Sequence, residues 1–334
     1  MSTLPKRPTD PDPSSYLKYL ISIILHISLF LNYQLEAQQP LGSTIYFSHD
    51  NDILKIINGT DRYYSFGLIA GYQKALSHEK VDFLPTQHFK DPRNKYIIGV
   101  VAAIKGYTPN SEDNRENSLL ERPFAGTFTI RPYLISVNRN HLIRLDLETG
   151  IRGPASHAGR LQNWVHEKIG DDRIKGWDNQ LDNKFLFNLY GQYAKPFLII
   201  KGFEVIPEST VALGNHFTYL QQGIKIRVGL FNDISNSISY VTHTGGRDAV
   251  RKMEIFTSVT LYGRISLVDA TLSSSNMVDD LPMITRDNLM AGFRLRFNFL
   301  INRFGVILAY SKITPRTNLS EKHSYGSIGL NYGW

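Results

Sequence analysis

The last eight residues, Ser327-Ile328-Gly329-Leu330-Asn331-Tyr332-Gly333-Trp334, alternate between two kinds of side chain. Large apolar side chains occupy the even positions, and small or polar ones occupy the odd positions. A period of two is that of a β-strand, whose successive side chains point to opposite faces. The stretch therefore predicts a strand that has one apolar face and ends on an aromatic residue.

The same alternation recurs at 289–299, where large apolar residues are separated by Gly292, Arg294, Arg296 and Asn298. Shorter copies occur at 142–148 and 184–192. A soluble sandwich also alternates, with its apolar face towards the core. Here the second face carries Arg, Asp, Glu, Asn and Gly, as a wet lumen would, and aromatic residues lie near the strand ends. The pattern predicts an all-β fold, an antiparallel transmembrane β-barrel.

About twelve strands are predicted, an even number as a single-chain barrel requires. Residues 250–272 are interpreted as one long strand, because Gly263 is the only turn signal within them. Long polar connections alternate with short ones, which is typical of external loops and periplasmic turns. The predicted strands are 43–50, 63–76, 94–106, 124–137, 140–151, 183–195, 198–213, 217–230, 250–272, 286–299, 302–314 and 323–334.

The N-terminus predicts export. Lys6, Arg7 and Lys18 precede an apolar run from Tyr19 to Leu31, which is too short to span a bilayer as a helix. A basic start, a short apolar core and a small residue, Ala37, are typical of a signal peptide. We expect residues 1–37 to be a signal peptide and 38–334 one barrel domain in the cell outer membrane. An uncleaved amphipathic anchor is the alternative.

Composition narrows the possible chemistry. The 334 residues include no Cys, which excludes a disulfide framework and a thiolate metal site. The formal net charge is +7, but no Lys- or Arg-rich tract of the nucleic-acid-binding kind is present. For an envelope protein, anionic lipid headgroups are the expected counter-charge, and nucleic acid is not an expected partner.

Strand direction sorts the polar residues. With both termini in the periplasm, the first strand runs outward and ends near Asp52, and residues 152–182 form an external loop. Alternation then predicts Asp52 and Ser65 inside the outer mouth of the lumen. A helix is predicted from Ala158 to Gly170, with Gln162 and His166 on one face. We expect this helix to lie over the mouth and direct His166 at Asp52 and Ser65.

This set of residues suits ester hydrolysis without a protein nucleophile. A neutral His can act as a general base on water, and carboxylate, amide and hydroxyl oxygens are ligands for calcium rather than zinc or copper. Calcium beside an ester carbonyl would stabilise the oxyanion formed on attack. Each residue could instead have a purely structural role. His166 would be a surface residue, Asn51-Asp52 a turn former, and Ser65 part of the lumen lining.

Seven short motifs follow one another along the chain. They are Asn51-Asp52, Thr60-Asp61-Arg62-Tyr63-Tyr64-Ser65-Phe66-Gly67, Tyr107-Thr108-Pro109, Glu121-Arg122-Pro123-Phe124-Ala125-Gly126, Gly150-Ile151-Arg152-Gly153-Pro154-Ala155, Gln162-Asn163-Trp164-Val165-His166 and Gly176-Trp177-Asp178-Asn179-Gln180. In this order they resemble the motifs of the outer-membrane lipid A 3′-O-deacylase family, and the resemblance covers residue 43 to the end of the chain.

The resemblance implies a twelve-stranded, calcium-dependent barrel that removes an acyloxyacyl group from lipid A in lipopolysaccharide. The family's catalytic His falls on His166, its Asn-Asp pair on Asn51 and Asp52, and its strand-2 hydroxyl on Ser65. The last three are assigned jointly to calcium and oxyanion chemistry. We expect the protein to be a monomer.

Two positions depart from the family pattern. Some members carry a Lys-Arg pair in the second external loop, where this chain has Asn114-Arg115. We expect Arg115 to bind a lipid A phosphate and Gln162 to contact substrate beside it. The Glu that such members carry six residues after the His corresponds to Asp172, which we expect to be a further metal ligand. These changes leave the acyl position open.

Two other functions fit the sequence. A phospholipase A-type outer-membrane lipase would use Ser65 as its nucleophile with His and calcium. A porin or an adhesive barrel would use the same polar residues to line a channel or a loop surface.

Overall fold

The computed structural model describes residues 42–51, 64–77, 91, 93–109, 122–170, 172–244, 252–272, 287–318, 320 and 322–334. These residues form thirteen antiparallel strands and one α-helix, α1 (Ala158–Ile169). The strands are β1 (Ser43–Asn51), β2 (Phe66–Leu76), β3 (Lys95–Tyr107), β4 (Ala125–Val137), β5 (Leu142–Arg152), β6 (Lys184–Ala194), β7 (Phe197–Ile200), β8 (Phe203–Gly214), β9 (Phe217–Leu230), β10 (Met253–Asp269), β11 (Leu289–Ile301), β12 (Phe304–Ile313) and β13 (His323–Gly333).

The sheet closes into a barrel. Strands β1 and β13 pair, so the chain's first and last strands are neighbours, and β6 pairs with β8 to complete the ring. Strand β7 pairs only with β8 and is the one strand outside the ring of twelve. Within the ring of twelve, each strand is paired on both sides, as a bilayer requires. In the described residues, no helix is long and apolar enough to cross a membrane.

The predicted fold class is confirmed, with one difference in the strands. The predicted strand 198–213 is interrupted by a turn at residues 201–202 and becomes β7 and β8. Gly202 has a φ of 84°, a left-handed conformation that glycine adopts without strain. The predicted long strand near 250–272 is confirmed as β10, and the predicted loop helix ends before Gly170, whose φ is 81°.

The two faces of the wall differ as the alternation predicts. Large apolar side chains point outward, where a bilayer covers them; Phe185 and Leu289 are 65% and 71% exposed in the protein alone. At the end of the barrel where β1 begins and β13 ends, here called the terminal end, Trp334 lies beside Tyr72 and Tyr332. This aromatic group matches the girdle of membrane barrels. The opposite end is called the loop end.

A feature that alternation did not predict fills the lumen at the terminal end. Residues 231–244, the inner segment, leave β9 and fold back inside the barrel. Lys95 of β3 donates to the carbonyl oxygen of Thr242 at 2.9 Å, and Thr44 of β1 donates to that of His243 at 2.6 Å. Ile234 packs with apolar residues from strands on several sides of the ring. The lumen is therefore closed at this end by protein.

Candidate active site on the outer face of the wall

Helix α1 packs against the outward face of the barrel. Ala158 shares an apolar cluster with Phe66 and Phe124, and Ile104 of β3 packs against the same cluster. Ile104 alternates with Lys105, which lines the lumen cavity, so the side chain of Ile104 points outward. This region, formed by the cluster and α1, is called the helix–wall seam. Burying Phe124 there contributes about 2 kcal/mol.

Small residues allow α1 to lie close to the barrel wall. A Cβ atom at Gly126 of β4 would lie 2.8 Å from the Cβ of Ala158, and one at Gly159 would lie 2.7 Å from the Trp177 ring. At Gly176 a Cβ would lie 2.1 Å from the Phe124 ring. The glycines therefore let α1 and the turn at Lys175–Asn179 sit directly on the wall.

His166 lies on the buried face of α1 and is 5% exposed. Its Nδ1 lies 3.1 Å from the backbone carbonyl oxygen of Asp172. Because a carbonyl oxygen only accepts hydrogen bonds, this contact places a proton on Nδ1. In the neutral ring Nε2 is then the basic nitrogen, as a general base requires.

Asn163 holds the segment that orients His166. Its Oδ1 accepts the Ile174 N–H at 2.9 Å, and its Nδ2 donates to the Ile174 carbonyl oxygen at 3.3 Å. Both bonds hold Ile174 against α1. Ile174 is two residues after Asp172, whose carbonyl oxygen contacts His166. The sequence placed Asn163 near the His166 face but did not reveal this contact, which depends on how the chain returns after Gly170.

Asn51 shares the outward face of the wall with the seam. Asp50 lines the lumen cavity, so alternation places Asn51 on the other face, and Asn51 pairs in register with Phe66 of the seam. Its amide is therefore close in the fold to the elements that carry His166.

Ser65 is fully buried beside β3. Its Oγ lies 2.5 Å from Thr108 Oγ1, and its N–H donates to the Gly106 carbonyl oxygen. Thr108 was quoted within a motif, but no local pattern in the sequence predicts that it contacts Ser65. The lumen cavity is not lined by either residue.

The prediction of a site inside the outer mouth, with the helix over it, is wrong in location. Alternation assigned Tyr64 to the outside, but its hydroxyl donates to Asp50 Oδ2 at 2.8 Å inside the barrel. Tyr64 precedes the first residue of β2, so the strand period does not reach it. Burial raises the pKa of Tyr64 well above its usual range, which keeps the phenol a donor.

The other predicted site residues are placed as follows. Gln162 is buried in the seam and accepts the Trp177 indole N–H at 3.1 Å. Asp172 is exposed, and its backbone carbonyl rather than its carboxylate contacts His166. Asp52 and Arg115 lie outside the described residues, as do 1–37. The substrate and metal roles given to all four remain predictions.

Described side chains supply only part of a calcium site. Asn51 and Ser65 offer neutral oxygens, of the kind that calcium accepts. Across the described ranges, no three His, Cys, Asp or Glu side chains are grouped to hold a metal ion. The donor set therefore fits calcium only with a carboxylate from Asp52 or Asp172.

The exposed residues of α1 include three apolar side chains beside charged ones. Trp164, Val165 and Ile169 are 55%, 40% and 43% exposed. Because α1 lies on the lipid-facing side of the wall, these side chains suit the interfacial part of a membrane, where Trp is enriched.

Comparisons with known proteins agree with this architecture. The family model described as "Outer membrane protein LpxR" matches residues 21–334. The solved structure of LpxR from Salmonella typhimurium is 19% identical and has a TM-score of 0.71, covering 86% of this chain and 99% of that chain. At that identity the match shows the fold. No curated protein matches the chain.

Two further solved structures match the chain less well. The β domain of the Bordetella autotransporter BrkA has a TM-score of 0.45 and 7% identity, covering 87% of this chain and 97% of that chain. The translocator domain of the autotransporter NalP from Neisseria meningitidis has a TM-score of 0.40 and 9% identity, over 96% and 97%. These matches carry no information on the site.

Proposed function

The chain belongs to the outer membrane protein LpxR family and lies in the outer membrane, and we propose that it is a calcium-dependent lipid A deacylase. In this proposal it hydrolyses an acyloxyacyl ester of lipid A in the outer leaflet. The observation that carries it is the setting of His166, which is oriented by the Asp172 carbonyl and buried in a seam on the lipid-facing side.

His166 acts as the general base in the proposed mechanism. Its Nε2 takes a proton from a water molecule as the water oxygen attacks the ester carbonyl carbon. The ester C–O bond then breaks, and the proton passes from Nε2 to the departing alkoxide oxygen. A free carboxylic acid and a hydroxyl group are the products, and the ring returns to its neutral form.

Oxygen donors at the seam complete the proposal. Asn51, Asp52 and Ser65 would hold calcium, with Asp172 as a further candidate ligand, and bound calcium would stabilise the negative charge that develops on the ester oxygen. Ser65 is kept in place by Thr108, and Asn51 by its position at the end of β1. Asn51 and Ser65 are neutral ligands, so the negative charge that balances calcium would come from Asp52 and Asp172.

The location of the seam supports a lipid as substrate. Lipid A reaches an outward-facing seam by moving sideways in the outer leaflet, without entering the lumen. The exposed apolar side chains of α1 suit contact with its acyl chains, while Gln162 and Arg115 are proposed to contact its polar part.

Lipid A mass spectrometry tests the activity. Lipid A from a host that expresses the protein, with calcium supplied, should lose the mass of one acyloxyacyl group relative to the empty host. His166→Ala should restore the full mass while the barrel still migrates as a heat-modifiable band. An unchanged lipid A mass, with folded wild-type protein confirmed in the membrane, would contradict the proposal.

A labelling experiment distinguishes the phospholipase A-type alternative from this proposal. A Ser65 nucleophile needs a base within hydrogen-bond reach, and the Ser65 hydroxyl bonds to the hydroxyl of Thr108, which is not a base. We therefore expect a serine-directed inhibitor to leave the protein unlabelled. Labelling at Ser65, with loss of activity in Ser65→Ala, would favour the phospholipase A-type mechanism.

A further inference from the structure

The lumen contains a chamber whose walls carry an excess of positive charge. Its volume is about 540 Å³, and Ser239 and Val241 of the inner segment line it on the terminal side. Two carboxylates, Asp50 and Glu148, face the same space. The cationic side chains that line it are Lys105, Arg131, Arg264, Arg294, Arg296 and Arg316, of which Arg131 and Arg316 are paired with Asp146 and Asp269.

Three of these arginines belong to one wall, β10 and β11, and also line a second chamber of about 330 Å³. Arg264 donates to the Gln221 amide oxygen at 2.7 and 3.0 Å. Arg294 donates to the hydroxyls of Ser311 and Tyr325. Arg296 Nε has no hydrogen-bond partner among the described residues. These acceptors are neutral, so the three charges are not matched by hydrogen-bonded carboxylates.

The two carboxylates that line the first chamber, Asp50 and Glu148, form hydrogen bonds with groups other than these three arginines. Glu148 accepts from Tyr190 at 2.9 Å and contacts His216 at 2.7 Å, and Asp50 accepts from Tyr64.

Other charged side chains of the lumen pair directly, and some of these pairs line the second chamber. Asp146 lies 2.7 Å from Arg144, and Glu208 lies 2.7 Å from Lys225. Glu204 is paired with Arg227. Enclosed charges are normally paired in this way, so the β10–β11 wall departs from the rule that the rest of the lumen follows.

We propose that the chamber binds a small soluble polyanion of the phosphate class through Arg264, Arg294 and Arg296. Planar guanidinium groups match phosphate oxygens with paired donors, more specifically than they match chloride. Arg294 and Arg296 are two residues apart on one strand, roughly 7 Å along it, which suits an anion with two phosphoryl groups. The site is separate from the helix–wall seam and does not depend on deacylase activity.

The position of the arginines favours a soluble anion over a lipid headgroup as the source of the phosphate. The arginines point into the lumen, and the wall of the barrel separates them from the bilayer. A phosphate on a membrane lipid would have to cross the rim at the loop end to reach them.

Calorimetry on the purified full-length protein in a non-ionic detergent tests this site. Titration with sodium pyrophosphate should give saturable binding that weakens as salt is raised. The double variant Arg294→Gln/Arg296→Gln should weaken binding at least about tenfold, whereas the charge-preserving Lys double variant should recover part of it. The matched control is Arg303→Gln/Lys201→Gln, which removes the same charge from exposed turns at the terminal end and should bind as wild type.

The outcomes are distinct. Absence of saturable heat in the wild type, or equal affinity in the lumen double variant with a heat-modifiable barrel, would overturn the proposal. Displacement of pyrophosphate by lipid A in mixed micelles would overturn the assignment to a soluble anion. Deacylase activity should be the same in both double variants and the wild type, so failure here leaves the proposed function untouched.

Discussion

The helix–wall seam and the lumen lie on opposite faces of the same strands and use their residues in opposite ways. The seam is largely apolar, and the backbone carbonyl of Asp172 contacts His166 within it. The lumen is polar, holds most of the paired charges and is closed at the terminal end by the inner segment. In the two proposals, a lipid would reach the first surface through the bilayer, and a soluble anion would reach the second through water.

In the proposed mechanism, the polar face of the barrel strands does not carry the chemistry. In β1, Asp50 lines the lumen chamber, and its neighbour Asn51 lies on the outward face with the seam. Catalysis on a lipid needs a few polar groups in an otherwise apolar surface, because each is strengthened where water is excluded.

The largest expected effect comes from removing the base. His166→Ala should lower kcat by roughly 10²- to 10⁴-fold, because proton transfer to a positioned His supplies about that much. Release of fatty acid from lipid A in mixed micelles measures it. Lys168→Ala, an exposed change on the same helix, should stay near wild type. Activity retained in His166→Ala would remove His166 from the mechanism.

The next effect comes from opening the seam. Gly176→Leu forces the turn at Lys175–Asn179 away from Phe124, and a displacement of about 1 Å can cost roughly a hundredfold in rate. Gly263→Ala is the control, since a Cβ there meets nothing within 4 Å. Both variants should remain heat-modifiable barrels. Full activity in Gly176→Leu would show that the seam need not be closed.

A smaller effect should follow from loosening the segment that orients His166. Asn163→Ala removes both bonds to Ile174, and we expect kcat to fall by about tenfold with little change in KM. Asn163→Asp keeps the acceptor for the Ile174 N–H and should recover part of the rate. A purely structural role would instead lower heat stability in both variants, without a split between kcat and KM.

The smallest effect is on the lumen side and concerns pH. Burial, followed by the nearby charge of Lys95, lowers the pKa of His243 to about 4. The folded protein keeps His243 neutral, whereas an opened segment would protonate near the ordinary value of about 6.5. Stability of the inner segment should therefore be lost as pH falls from about 6.5 towards 4.

Hydrogen exchange of residues 231–244 checks this prediction. Protection should be lower at about pH 5 than at about pH 7.5, and His243→Asn should remove the difference. Equal protection of the wild type at both values would contradict it. Deacylase activity should be unaffected by the variant, because His243 lies at the end of the lumen away from the seam.

The sequence predicted the barrel well, because the alternation at 289–299 and 327–334 follows directly from strand geometry. The helix Ala158–Ile169 was also predicted, with its end at Gly170. The pattern could not distinguish an apolar side chain facing lipid from one facing protein. Phe66 and Ile104 therefore gave no sign that α1 covers them.

The helix that carries His166 was predicted over the mouth of the lumen, but it lies on the outward face of the wall. Strand alternation fails at Tyr64 and Ser65, which precede β2, so their faces could not be assigned by counting. The inner segment was missed for a different reason: residues 231–244 carry the composition of a polar loop, and only the closed ring shows that they fill its interior. Asn51, Ser65 and His166 keep their assigned roles as proposals.

The most direct test compares the two faces in one assay. Lipid A treated with wild-type protein, with His166→Ala and with Arg294→Gln/Arg296→Gln is measured by mass spectrometry, with calcium present. Loss of one acyloxyacyl mass with the wild type and the lumen variant, but not with His166→Ala, is the predicted result. Loss of that mass with His166→Ala but not with the lumen variant would place the chemistry inside the barrel and contradict the account.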